Sequence, residues 1–292
     1  MHAVTGPFSY TGKYIARALE RRGLEVRGLV RGRELQFQDP AQLARNLDGA
    51  EVLYNTYWIR FERGGSTFEQ AVANTGVLAR AAAAAGVRRL VHISVSNPSH
   101  NSPFAYFRGK AAAEEAIAAA GIPYSVVRPT LVFGREDVLV NNMAWLLRRL
   151  PAFPVFGDGS YRVQPVWVAD VADLAVAEGA QSGDRVIDAA GPVNQSFLEF
   201  LVELRRAVAS RARLVKMPPG VALALSRPLA LALRDVPITR EEIGALMASL
   251  LVSHAKALAP TSFAEWLEAE RPALGSMYTS ELRRHWAGWA ER

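Results

Sequence analysis

The 292-residue chain contains no cysteine. That excludes disulfides, thiolate metal sites and a cysteine nucleophile together, and it agrees with a reducing compartment. Lysine is nearly absent too, occurring only at positions 13, 110, 216 and 256, so the formal net charge of +6 rests on arginine. The arginines are scattered among acids apart from short pairs such as Arg21 with Arg22 and Arg205 with Arg206. The basic stripe with interleaved aromatics that marks a nucleic-acid surface is missing, and no nucleic-acid partner is expected. No apolar run reaches the roughly eighteen residues of a spanning helix. The nearest candidate, 221–233, is broken by Arg227 and Pro228, so no integral membrane segment is expected. The chain runs straight into a strand and a glycine turn without a secretory signal, which points to a cytoplasmic location. The five histidines, at 2, 92, 100, 254 and 285, have no metal-ligand spacing, and no metal site is expected.

What is present is a globular composition, half hydrophobic and 21% charged. Short apolar runs at 2–5, 25–31, 35–38, 51–56, 89–94 and 124–128 read as strands. Helical patterns lie between them at 13–22, 40–46, 67–85 and 106–120. Gly23, Gly86 and Gly121 follow helices, where a left-handed residue turns the chain into the next strand. This rhythm predicts an α/β fold, a Rossmann-type doubly wound parallel sheet over residues 1–180. Residues 181–292 are expected to form a smaller, mostly helical C-terminal region, with 153–161 a substrate loop around a Gly157-Asp158-Gly159 turn. Asp170 is expected to cap a helix starting at Val171. Arg283, Arg284, Trp286 and Trp289 suggest an amphipathic end helix.

The sharpest motif is Gly6-Pro-Phe8-Ser9-Tyr10-Thr11-Gly12-Lys13, between the first strand and the first helix. Gly6 makes the turn, position 9 lets the backbone approach a diphosphate, and Gly12 allows close packing of helix on strand. The helix N-terminus then offers amides and partial positive charge to the phosphates. Ser9 stands where the middle glycine is usual; its hydroxyl either adds a phosphate hydrogen bond or crowds the site. At the end of the second strand an acid would bind a ribose 2′-hydroxyl, but this chain has Arg31 and Arg33, with Lys13 nearby. A guanidinium matches a phosphate fork, so NADP(H) is the preferred cofactor, Arg31 its principal 2′-phosphate ligand, and NAD(H) the alternative.

Further residues fall into a pattern: Asn74, Leu90-Val91-His92-Ile93-Ser94, Tyr106-Phe107-Arg108-Gly109-Lys110, Arg128-Pro129-Thr130 and Pro165-Val166-Trp167-Val168-Ala169-Asp170. With the glycine loop they span about 190 residues that resemble the extended or atypical branch of the short-chain dehydrogenase/reductase superfamily. Within it the chain is similar to NmrA-like proteins and to the nucleotide-binding accessory subunit of respiratory complex I. The resemblance implies a catalytic Tyr106–Lys110 pair, with Lys110 also holding the nicotinamide ribose. Four residues apart on a helix, the two share a face, and an ammonium beside a phenol favours the phenolate. The resemblance also implies a hydroxyl that polarises a substrate carbonyl, at Ser94 or else Ser96. It places Asn55, Thr56 and Tyr57 along the nicotinamide side of the groove, and Gln36 where an aspartate often contacts the adenine. Tyr57 and Trp58 either narrow the substrate pocket or are plain packing residues, and Thr130 and Phe133 are candidates for the same cleft. His92 reads as a core histidine.

These observations imply an NADP(H)-dependent oxidoreductase of a small, apolar carbonyl or alcohol substrate. A non-catalytic dinucleotide sensor or scaffold is the main alternative, and a nucleotide-sugar epimerase or dehydratase a further one. The sequence leaves open a protein partner or a homo-dimer.

Overall fold

The computed structural model describes residues 1–270 and 273–285. Its first part alternates strand and helix: β1 (His2–Thr5), α1 (Tyr10–Glu20), β2 (Val26–Leu29), α2 (Pro40–Leu47), β3 (Val52–Asn55), α3 (Phe68–Ala84), β4 (Arg89–Ile93), α4 (Ala105–Ala118) and β5 (Tyr124–Pro129). Then come β6 (Leu131–Phe133), α5 (Val138–Arg149), β7 (Ala152–Phe156), β8 (Arg162–Val163), β9 (Pro165–Trp167), α6 (Val168–Gly179) and β10 (Arg185–Ala189). The remainder holds β11 (Gln195–Ser196), α7 (Phe197–Ala207), β12 (Arg213–Met217), α8 (Pro219–Leu233), α9 (Arg240–Met247), α10 (Phe263–Glu270) and α11 (Glu281–His285). Trp286 and Trp289 lie outside the described residues.

Two compact units emerge. One comprises Met1–Pro129, Val168–Ala190 and Ser253–Ala259; the other comprises Thr130–Trp167, Gly191–Val252 and Pro260–Arg292. The first unit is built on a six-stranded sheet in the order β10-β5-β4-β3-β1-β2, with every pairing parallel. This is the expected Rossmann-type sheet, with flanking helices. Residues of β1, β3 and β4 are buried throughout, as strands covered on both faces must be. The chain steps outward from β1 to β2, then returns past β1 to β3 and proceeds the other way. The switch point therefore lies at the carboxyl ends of β1 and β3, where open α/β sheets bind ligands.

Local chemistry fixes the helix ends. Ser9, Asp39 and Thr67 each accept the amide three residues on, which satisfies a donor the first turn leaves open. Gly23, Gly86 and Gly121 adopt φ of 71°, 72° and 71° at the expected exits. Leu29, Leu43, Leu47, Leu53, Leu78, Leu90 and Ile117 form the apolar layer between the sheet and α2–α4.

Arg89, at the start of β4, is 1% exposed and gathers the other half of the sheet. Its guanidinium donates to the carbonyls of Glu178 (2.8 Å), Gly183 (2.8 Å) and Tyr124 (3.0 Å) and to the Ser125 hydroxyl. The Glu178 carboxylate in turn accepts from Ser125 (2.7 Å) and Arg185 (2.9 Å). One planar fork thus ties β4 to β5, to the end of α6 and to the approach to β10.

The second unit has a core of stacked aromatics, in which Phe133, Phe197, Phe200, Phe263 and Trp266 pack at ring separations of 4.6–6.2 Å. Its strands pair only two at a time, β11 with β8, β12 with β7 and β6 with β9, around α5 and α7–α10. No described helix is long and apolar enough to cross a membrane.

Three local expectations need correction, and one further element is new. Residues 35–38 are not a strand: Leu35 makes a single bridge to Arg31, and the amides of Arg33 and Leu35 return to the Val30 carbonyl. The Glu34 carboxylate takes the Val30 amide at 3.2 Å, so this short run closes its hydrogen bonds on itself. Residues 152–156 form β7, paired in parallel with β12, where a loop is expected. α6 begins at Val168, which puts Asp170 inside its first turn and not at the cap. Residues 138–149 form α5, capped by Asp137, which the strand–helix rhythm does not announce.

Replacing Arg89 by methionine is expected to cost about 3 kcal/mol, since it leaves the carbonyls of Glu178, Gly183 and Tyr124 without this donor. Arg88→Met, which removes an exposed partner of Glu51, is expected to cost under about 1 kcal/mol. Urea unfolding of the two variants checks the contrast.

Candidate active site and dinucleotide cleft

The glycine loop is held by contacts that admit no side chain at its second glycine. Gly6 sits at φ +58°, and its carbonyl accepts the Ser9 amide at 2.8 Å. A β-carbon on Gly12 would lie 2.2 Å from the Gly6 carbonyl oxygen, a clash no shift of a flexible side chain relieves. A β-carbon on Gly28 of β2 would meet the Pro7 ring at 2.6 Å, so the loop leans on the second strand through a bare glycine. Ser9 turns its hydroxyl inward: it accepts the Gly12 amide at 3.3 Å and lies 3.5 Å from the Thr56 hydroxyl. Phe8 is 75% exposed at the tip of the loop, and Tyr10 and Thr11 open α1. Lys13 lies in the same first turn, its ammonium 6.0 Å from the centre of the Tyr14 ring.

Beneath the loop, a polar network joins the carboxyl ends of β1, β3 and β4. The Thr5 hydroxyl accepts the amides of Thr56 (2.8 Å) and Tyr57 (3.1 Å) and donates to Asn55 Oδ1 (3.2 Å). Asn55 Oδ1 also accepts the Tyr57 amide at 3.0 Å, which leaves Asn55 Nδ2 to donate to His92 Nδ1 at 3.1 Å. Thr56 Oγ1 donates back to the Thr5 carbonyl at 2.6 Å. His92 is fully buried, and its Nε2 has no hydrogen-bond partner among the described residues. Burial first, and then the nearby Lys110 charge, hold its pKa well below the usual value, against a smaller upward pull from Asn55. The ring is neutral and Nδ1 accepts.

On the β2 and β3 side a cleft of about 510 Å³ opens, lined by Arg31, Gln36, Phe37, Tyr57, Gln70 and Asn74 among others. Tyr57 packs on Phe37 at 4.7 Å, and its hydroxyl accepts from Asn74 (2.8 Å), whose Oδ1 accepts from Gln70 (2.9 Å). Gln36 donates to the Arg33 carbonyl at 2.8 Å. Arg31 is exposed at the mouth of this cleft, while Arg33 faces Glu34 at 3.9 Å. Glu34 is the acid nearest the end of β2, and it spends one oxygen on the Val30 amide.

Tyr106 and Lys110 lie in the first turns of α4 and meet the same indole. Tyr106 sets its ring edge-on to Trp58 at 6.1 Å and to Phe68 at 5.8 Å. The Lys110 ammonium lies 4.5 Å over the Trp58 face and donates to the Ile93 carbonyl at 2.9 Å. Gly109 permits this approach, since a β-carbon there would touch Trp58 and Phe68 at 3.2–3.3 Å. Lys110 is 2% exposed, and burial pulls its pKa from 10.5 down to about 7, while Glu114 pulls the other way.

Glu114 is one turn further along α4. It accepts the Ser94 hydroxyl and a two-point contact from Arg128, at 3.1 Å and 2.5 Å. A hydroxyl has one proton to give, so in this arrangement Ser94 donates to Glu114 and keeps only acceptor capacity. Ser96 is fully buried, with its amide on the Pro129 carbonyl. Thr130 gives its hydroxyl to the Gln164 carbonyl at 2.5 Å, and Phe133 is fully buried against Phe263. Glu114 and the His92–Asn55 contact escape the sequence reading, and Trp58, expected either to narrow the pocket or simply to pack, is the surface that Tyr106 and Lys110 share. Only Glu114 leaves a signal, the four-residue spacing of Tyr106, Lys110 and Glu114 along one helix face.

A tight glycine turn, a helix N-terminus and a switch-point cleft define an NAD(P)-binding Rossmann fold. The chain belongs to the NAD dependent epimerase/dehydratase family, whose model it matches over residues 2–185. It is 26% identical over 285 residues to the mitochondrial NADH dehydrogenase [ubiquinone] 1 alpha subcomplex subunit 9 of Arabidopsis thaliana, covering 86% of this chain and 70% of that protein. It spans 50% of the length of the Mus musculus counterpart and 61% of that of Dictyostelium discoideum. It is also 29% identical over 189 residues to the ceramide reductase of Caulobacter vibrioides, covering 60% of this chain and 59% of that protein. Among solved structures it is similar in fold to the NADPH-dependent quinone oxidoreductase QOR2 of Escherichia coli, complexed with NADPH. The TM-score is 0.75 at 20% identity, over 92% of this chain and 99% of that one.

The lowered pKa of Lys110 makes stability depend on pH. Below about pH 7 folded and unfolded chains both hold this proton; between about 7 and 10.5 only the unfolded chain does. Stability therefore gains a rising component across that window, which levels off above 10.5. Lys110→Met is expected to remove that component, measured as the difference between wild-type and variant unfolding free energies from pH 6.5 to 10.

Proposed function

We propose that the chain is an oxidoreductase that binds NADP(H) in preference to NAD(H) and acts on a small, apolar carbonyl or alcohol through Tyr106 and Lys110. The observation that carries this reading is the buried Lys110 one helical turn from Tyr106, with both side chains on Trp58. The residues present fit the dinucleotide. The Gly6–Gly12 turn, which excludes a β-carbon, and the start of α1 suit its diphosphate. Arg31, exposed beside the cleft, suits a 2′-phosphate, and the nearest acid, Glu34, is engaged within its own turn. Gln36, Tyr57 and Asn74 line the space for the adenosine half. When bound, the dinucleotide supplies or accepts the hydride.

The chain's own residues manage the proton. In the reductive direction the Tyr106 hydroxyl gives its proton to the substrate oxygen, and the charge left on the phenolate is stabilised by protonated Lys110. Lys110 is held in place by the Ile93 carbonyl and the Trp58 face, so it meets the phenolate without first shedding water. The aromatic wall of Trp58 and Phe68 keeps the surroundings apolar. The names of two relatives, a ceramide reductase and a quinone oxidoreductase, support reduction of an apolar molecule.

A scaffold that binds the dinucleotide without turnover is the second reading. It is favoured by the Ser94 hydroxyl, which is given to Glu114 and not left for a carbonyl.

Two variants separate these readings. Tyr106→Phe is expected to lower kcat by about a hundredfold or more on an identified carbonyl substrate while leaving NADPH affinity intact. Undiminished turnover would remove Tyr106 from the mechanism. Arg31→Ala is expected to weaken NADPH binding by about tenfold and leave NADH binding unchanged, as measured by calorimetry. An unchanged ratio would remove Arg31 as the phosphate ligand.

A further inference from the structure

The helix α8 reads Pro219-Gly-Val-Ala-Leu-Ala-Leu-Ser-Arg-Pro-Leu-Ala-Leu-Ala-Leu233 and is apolar on every side apart from Ser226 and Arg227. Ala222 and Leu223 pack into the aromatic core of the second unit. The opposite arc carries Val221, Leu225 and Leu231, which are 48%, 61% and 81% exposed, with Ala224, Pro228 and Ala232 between them. Positions 221, 224, 225, 228, 231 and 232 recur at helical spacing, so they form one continuous stripe. A helix apolar all round belongs in a core or in lipid, and this one is packed on one side only.

Charge decides between occupants. From Leu204 to Arg234 the sequence holds seven cations, Arg205, Arg206, Arg211, Arg213, Lys216, Arg227 and Arg234, and no acid. The next acid, Asp235, is buried and engaged by the Tyr278 hydroxyl and the amides of Glu281 and Leu282. Lys216 and Arg213 lie exposed on β12, which leads directly into α8 and also exposes Val215. A second copy laid on this stripe would bring cations against cations. A surface of anionic headgroups over acyl chains matches both properties. At 15 residues, or about 22 Å, α8 is too short to cross a hydrocarbon core of about 30 Å.

We infer that α8 and the basic residues of β12 dock the protein on the surface of an anionic lipid bilayer, with Val221, Leu225 and Leu231 entering the headgroup boundary. The inference does not depend on the dinucleotide or on Tyr106.

Because the chain has no cysteine, a Leu231→Cys variant carries one label site. The full chain, labelled there with an environment-sensitive fluorophore, is mixed with phosphatidylcholine vesicles with and without phosphatidylglycerol. The expected result is a blue shift and co-sedimentation with the anionic vesicles, weakening as salt rises. Adding Leu225→Glu to the labelled chain is expected to abolish both signals, and adding Arg213→Gln with Lys216→Gln to weaken binding by about tenfold or more. The thermal midpoint and NADPH affinity are expected to stay at the labelled chain's values in all of them. Absence of binding to anionic vesicles would overturn the inference. So would a blue shift that grows with protein concentration in vesicle-free solution, which would assign the stripe to a second copy of the chain.

Discussion

The Asn55 side chain joins three strands with one amide group. Its oxygen takes the Thr5 hydroxyl of β1 and the Tyr57 amide, and its nitrogen gives to His92 of β4. This works only while His92 Nδ1 accepts, because a protonated imidazole would turn a second donor toward Asn55 Nδ2. Burial and the charge of Lys110 keep the ring neutral, so the lysine on α4 helps fix the hydrogen-bond sense of the sheet ends. From Thr5 the network continues through Thr56 to Ser9 and the Gly12 amide. The glycine loop and His92 are thus two ends of one hydrogen-bonded chain laid across the switch point, and the charge of Lys110 bears on its far end.

Around that chain the site divides by polarity. Toward β2 it is polar, with Arg31, Gln36, Gln70 and Asn74 presenting donors and acceptors around a cleft. Toward α4 it is aromatic, and the Lys110 ammonium rests on an indole face. Such a division suits a ligand that is highly charged at one end and uncharged at the other.

The fold was legible because its signals are local. A glycine after a helix, a small residue at a tight turn and alternating apolar runs each report a backbone geometry set within a few residues. That is why Gly23, Gly86 and Gly121 and the five parallel strands through residue 129 could be read directly. The 35–38 run misled because four residues of strand-like composition can satisfy their amides on Val30 and Glu34 without joining a sheet. β7 was missed because its partner, β12, lies some sixty residues later. In the candidate site, the residues themselves were visible as a spacing, but their partners were not. Nothing near Ser94 in sequence announces Glu114 or Arg128, and nothing near Lys110 announces Trp58, because these neighbours are made by packing helices on a sheet.

The Arg89 hub also sets an order of events during synthesis. Its guanidinium sits in β4, yet two of its acceptors, the carbonyls of Glu178 and Gly183, are translated about ninety residues later, after the excursion through β6–β9. A nascent chain that has emerged only through β5 holds five strands of the sheet with an open edge at β5 and an arginine short of two of its three carbonyl partners. The sheet closes when α6 and β10 arrive, and their arrival supplies both the covering strand and the missing acceptors. The growing polypeptide therefore carries an unsatisfied cation as a marker of incompleteness, and the same residues that extinguish it finish the domain.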